Sequence, residues 1–180
     1  MKIITPPQNL KAAHVEIWSL IKKEAKDLVA LIDARDFEGK WKDAFAISHA
    51  QVSDCPYSFF VIHREKAWIF SQNRVIINAK ILSTEGKLIK SKEACMGYPH
   101  DKVSKVGRYH KIKFEFYVLR KMNKFKHIVS LNFRNPKLER MELELTGLPA
   151  FIVQHEVDHS NGITIYDEER SYSNRSKNNK

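Results

Sequence analysis

Cysteine is scarce: Cys55 and Cys95 are the only two in 180 residues. That excludes a disulfide scaffold and favours a reducing compartment. Long apolar runs are missing too. The densest patch, residues 59–62, is strand-sized and far short of the ~20 residues that cross a bilayer. The opening Met1-Lys2-Ile3-Ile4-Thr5-Pro6-Pro7 lacks the apolar stretch of a signal peptide, so the chain reads as cytoplasmic, with no membrane partner. No internal repeat occurs, and no low-complexity segment precedes the tail. What is present is 43% apolar and 29% charged residues, a balance that buries a core and excludes wholesale disorder. Lysine and arginine number 31 against 21 acidic residues, a net charge of +10. That favours acidic or nucleic-acid neighbours and says nothing of fold. The length suits one domain, expected over residues 1–170, followed by a polar, frayed tail at 171–180.

Leu10, His14, Ile17, Trp18, Ile21, Ala25, Leu28 and Ile32 recur every three or four residues, which predicts one amphipathic helix over 8–34. Runs at 58–63 and 74–82 are rich in β-formers. Ile112, Phe114, Phe116 and Val118 alternate with polar or amphipathic residues, and so do Met141, Leu143 and Leu145. Period-two alternation marks half-buried, antiparallel strands. Because long helices do not intersperse with them, the fold class is α+β. A second helix follows, with Thr146 as the expected N-cap, Pro149 in the first turn and Asn161-Gly162 as the stop.

Inside that helix lies His155-Glu156-Val157-Asp158-His159. Histidines at i and i+4 share a face and can grip one metal ion. Glu156, turned by about 100° around the axis, can reach a water on that ion. The metal lowers the pKa of the water, and Glu156 can take its proton, which produces a hydroxide aimed at a carbonyl. A catalytic site of this type needs a third protein ligand. Asp167, Glu168 and Glu169 lie downstream, and Glu93-Ala94-Cys95-Met96-Gly97 lies upstream.

In combination these segments resemble the peptide deformylase family, whose three motifs run G-x-G-x-A-A-x-Q, E-G-C-L-S and Q-H-E-x-D-H. The third is intact as Gln154-His155-Glu156-Val157-Asp158-His159. The second retains Glu93 and Cys95. The first, Ala44-Phe45-Ala46-Ile47-Ser48-His49-Ala50-Gln51, retains Gln51. Ile76-Ile77-Asn78 and Val106-Gly107-Arg108 are similar to two further family segments, and the resemblance covers roughly residues 10–168. It implies a central metal-binding helix surrounded by antiparallel sheets, with a long N-terminal helix. It implies removal of the formyl group from the N-terminal methionine of new polypeptides. It implies one divalent ion per chain held by Cys95, His155 and His159, Fe²⁺ in the cell, with Zn²⁺ or Ni²⁺ as substitutes. It makes Glu156 general base and then general acid, with the Gln51 amide and the Met96 backbone N–H stabilising the oxyanion. Ala44, Phe45, Ala46, Ile47, Phe151 and Ile152 become expected walls of the substrate pocket. The implied partners are N-formyl-methionyl nascent peptides. A weak electrostatic contact with the ribosome is the further expectation, without specific nucleic-acid recognition.

The departures are local. Alanines stand at both glycine positions of the first motif, and Ser48 and His49 replace its two alanines. His49 has two open readings, facing solvent or lining the site. Ser91 stands where an aliphatic pocket residue is common, and the long C-terminal helix of many bacterial members gives way to a short polar tail. These changes motivate two alternatives: a deformylase-like hydrolase on another acyl amine, or a catalytically silent metal-containing protein that binds ribosomes or nascent chains. Asp158 is expected to pair with Arg108 structurally.

Overall fold

Alternating and β-rich segments come together as one antiparallel sheet in the computed structural model, which describes residues 18–34, 44–53, 57–71, 73–97, 103–119 and 138–167. Its strands are β1 Ala46–Ser48, β2 Phe59–Ile62, β3 Val75–Glu93, β4 Ser104–Leu119 and β5 Leu138–Thr146, in that spatial order. Helix α1 spans Trp18–Ala34 and helix α2 spans Leu148–Ser160. The expected helical residues 8–17 and the tail at 171–180 lie outside the described residues, as does Cys55.

Strand β2 explains how two helices share one sheet. All four of its residues are buried. Phe59 and Val61 join Ile21, Ala25, Leu28 and Ile32 of α1, whereas Phe60 and Ile62 join Ala150, Val153 and Val157 of α2. A strand sends successive side chains to opposite faces, so a wholly apolar strand is what a sheet covered on both sides demands. Phe114 and Phe116 stack at 4.9 Å between centroids within the α2-side core.

Two boundaries differ from the sequence reading. Strand β3 runs to Glu93 rather than ending at residue 82, because its outer half pairs with β4 while most of its side chains stay in solvent. A solvated ribbon carries no apolar alternation to read. Thr146 is the last residue of β5, and Gly147 is the N-cap of α2, at φ 66°. The sharp exit from strand to helix needs a positive φ, which glycine adopts without a Cβ penalty. Pro149 does stand in the first turn, and Gly162, at φ 71°, follows the C-cap Asn161. No described helix is long and apolar enough to cross a membrane.

Candidate functional site

Three elements converge on one cavity of about 430 Å³. The end of β3 delivers Glu93 and then Cys95. The one-turn helix at His49–Gln51 delivers Gln51, and α2 delivers His155, Glu156 and His159. Ala44, Phe45, Ala46, Met96, Phe151 and Ile152 line the same cavity. Ile47 does not: it is fully buried in the core under α1, because the alternation of β1 turns it away from Ala46.

Cys95, His155 and His159 bring one donor atom each to within 4.8 Å of one another. Cys95 Sγ lies 3.3 Å from His159 Nε2, which lies 3.0 Å from His155 Nε2. One buried thiol and two imidazole nitrogens gathered this closely fit a borderline divalent ion. Asp167, a downstream alternative, instead accepts hydrogen bonds from the Thr164 N–H and hydroxyl.

The surroundings fix these donors. Glu93 lies 3.0 Å from His155 Nδ1, which directs Nε2 inward. Arg108, almost fully buried, donates two hydrogen bonds to Glu93, at 2.9 and 2.8 Å, and pairs with Asp158 one turn along α2. The expected Asp158–Arg108 pair is therefore present, within a larger network. Burial opposes ionisation of Glu93, yet hydrogen bonds from Arg108 and His155 pull its pKa down to about 2. Burial also works against a charge on His155, but Cys95 and Glu93 outweigh it and hold its pKa well above the usual value. Burial and the neighbouring His155 push His159 well below it. Metal binding would displace the proton from His155.

Glu156 is buried, and its Oε2 has no hydrogen-bond partner among the described residues. Burial raises its pKa to about 7, partly offset by His155. A carboxylate that faces a cavity with an unused oxygen is placed to accept a proton. Gln51 uses both ends of its amide: Oε1 accepts from Ser48 N–H at 2.9 Å, and Nε2 donates to Cys95 Sγ at 3.3 Å. Ser48 reciprocates by capping the turn through Ala50 N–H, a capping box legible in the sequence as Ser-x-x-Gln.

Ala44 and Ala46 stand at ordinary backbone angles, since the positive-φ residues other than glycine among those described are Ser71 and Asn78. Their effect is therefore two methyl groups on the cavity wall, without backbone strain. Ser91 adds a hydroxyl to that wall. His49 takes neither of its two open readings. It is 1% exposed, points away from the cavity, and stacks on Phe59 at 4.5 Å.

The chain is similar to known proteins. The family model described as polypeptide deformylase matches residues 5–129 and 121–175. The peptide deformylase of Aquifex aeolicus (strain VF5) is 31% identical over 175 residues, covering 96% of this chain and 89% of that protein. Peptide deformylase 2 of Bacillus anthracis is 31% identical over 97 residues, 53% of this chain and 44% of the relative. Among solved structures, peptide deformylase from Thermotoga maritima superposes with a TM-score of 0.65 at 21% identity, covering 93% of this chain and 95% of that one. That from Plasmodium falciparum superposes with a TM-score of 0.67 at 17% identity, covering 97% and 90%. At these identities the structural likeness speaks for the fold.

Proposed function

The chain belongs to the polypeptide deformylase family, and on that premise we propose that it hydrolyses the formyl amide at the N-terminal methionine of new polypeptides. The observation that carries this reading is the convergence of Cys95, His155 and His159 beside Glu156 and Gln51 at one apolar cavity.

Cys95, His155 and His159 would hold one divalent ion, Fe²⁺ in the cell, with Zn²⁺ or Ni²⁺ as substitutes that the same donor set accepts. Such an ion acts as a Lewis acid and lowers the pKa of water at the site. The protein supplies the rest. Glu156 takes a proton from the attacking water as its oxygen bonds to the formyl carbon. The carbonyl oxygen gathers negative charge, which the Gln51 amide and the Met96 backbone N–H stabilise by hydrogen bonds. The C–N bond then breaks, and Glu156 passes its proton to the leaving amine, giving formate and a free N-terminus. Phe45, Phe151 and Ile152 receive the methionine side chain, and a volume of about 430 Å³ suits a small ligand of this kind. The apolar walls also thin the water around Glu156, which keeps its pKa near the working pH.

The enzyme would work in the cytoplasm on nascent chains, with the net charge of +10 supporting a weak, salt-sensitive contact with ribosomes. Glu156→Ala tests the mechanism. The variant should retain metal and lose activity by about 10³-fold or more; activity close to wild type would remove Glu156 from the proton-transfer role.

A second reading keeps the reaction and changes the substrate. The methyls of Ala44 and Ala46 and the Ser91 hydroxyl favour it, because they stand on the cavity wall where the family motifs have glycines and an aliphatic residue. Comparing formyl-Met, formyl-Ala and formyl-Ser tripeptides decides it. A preference for the small or polar residue would move the assignment.

A further inference from the structure

His49 is a buried polar residue of the first motif that the mechanism leaves unused, and it is held on three sides. Its Nδ1 accepts the Tyr57 backbone N–H at 2.9 Å. The ring proton therefore resides on Nε2, which lies 2.9 Å from Glu24 Oε2 on α1, a close packing contact outside hydrogen-bond geometry. The ring face stacks on Phe59 of β2 at 4.5 Å, and Tyr57 lies parallel to it at 6.1 Å. His49 is also the first residue of the turn that ends in Gln51, and its carbonyl accepts the Val52 N–H that closes the turn. A family-typical methyl group here would reach neither α1 nor the Tyr57 N–H.

We propose that His49 is a positioning residue for the formyl-amide hydrolysis: it pins the 48–51 turn to α1 and to the segment entering β2, and so fixes the Gln51 amide beside Cys95. The inference rests on the hydrolase reading above and acts through Gln51. The turn is short, and it carries the Gln51 Nε2 that donates to Cys95 Sγ at 3.3 Å, so a rotation of the turn moves that amide relative to the thiol. Misplacing a catalytic donor by about 1 Å can cost up to about 100-fold in rate.

The test is a double-mutant cycle on the Fe²⁺-loaded protein. His49→Phe keeps the stacked ring and removes both nitrogens, and His49→Asn keeps an acceptor for the Tyr57 N–H. His49→Phe should lower kcat by about 10-fold with KM changed less than about twofold. Its effect should vanish in a Gln51→Ala background, because one residue works through the other. His49→Asn should recover most of the rate. Multiplicative losses in the double variant, or a His49→Phe protein that is less heat-stable yet has wild-type kcat, would overturn the proposal. The Co²⁺-substituted proteins give a second readout that needs no turnover. His49→Phe should shift the thiolate-to-cobalt absorption band as Gln51→Ala does, and an unshifted band would again overturn it. If His49→Phe fails to fold, His49→Ala, which also removes both ring nitrogens, carries the same comparison in the Gln51→Ala background, with multiplicative losses refuting the link. A wild-type protein that is metal-loaded but inactive would fail the hydrolase reading alone, and the cobalt band would still decide whether His49 holds Gln51.

Discussion

Glu93 shares one carboxylate between Arg108 and His155, and Arg108 shares its guanidinium between Glu93 and Asp158. Removing the central cation leaves two partly buried carboxylates facing each other's charge. Arg108→Met is expected to cost about 3 kcal/mol, since breaking a buried pair strands its partners. A lower urea midpoint with unchanged slope checks this, and an unchanged midpoint contradicts it. His49 sets a pH dependence at the same scale. Burial pushes its pKa down from 6.5 to about 4, so the unfolded chain takes up the proton first. Its contribution to stability is complete above pH 6.5 and is lost as the pH falls towards 4. Urea titrations between these limits should show wild type losing more stability than His49→Phe; parallel curves would contradict a buried neutral imidazole. The motif His155–His159 was legible from spacing alone, because i and i+4 must share a helix face. The burial of His49 was not, because nothing in the local sequence says that Glu24 and Tyr57 meet there.

Gln154 shows how α2 is attached to the sheet. β5 pairs with β4 from Lys111 onward, so at Tyr109 the side of β4 away from β3 has no strand beside it among the described residues. The Gln154 side chain takes that place: Oε1 accepts the Tyr109 N–H at 3.0 Å, and Nε2 donates to the Tyr109 carbonyl at 2.8 Å. One amide thus stands in for a strand and sets the depth at which His155 and Glu156 enter the cavity. Gln154→Leu leaves two backbone groups unpaired near the core and should cost about 2 kcal/mol. Hydrogen exchange at the Tyr109 amide is the local check; protection equal to wild type would mean another partner replaces Gln154. The helix pattern of α1 and the alternation in β4 and β5 were readable because each buries a single face. The outer half of β3 was not, because Lys87 and Lys90 stand in solvent and give no period to detect.

At the scale of the molecule, a sheet covered by α1 on one side and α2 on the other brings Cys95, His155 and His159, a group that could hold a metal ion, together beside the cavity. The order of the three motifs made the family legible, and they come from β1 with its turn, the end of β3 and α2, which this topology brings together. The consequence of the alanines in the first motif was not legible: only their ordinary backbone angles in the structure leave the methyl groups alone as the difference. The charge of +10 is a property of the whole surface. Co-sedimentation with ribosomes should occur at low salt and fade steeply as salt rises, as counterion release requires; binding insensitive to salt would point to a shaped interface instead. The measurement that bears most directly on the central claim is metal content together with formate release from formyl-Met-Ala-Ser, on protein purified anaerobically with Fe²⁺. The account predicts about one ion per chain and turnover that is lost when a chelator strips the ion and regained when Fe²⁺ returns. One ion per chain with no release of formate from this or the alternative tripeptides would contradict it.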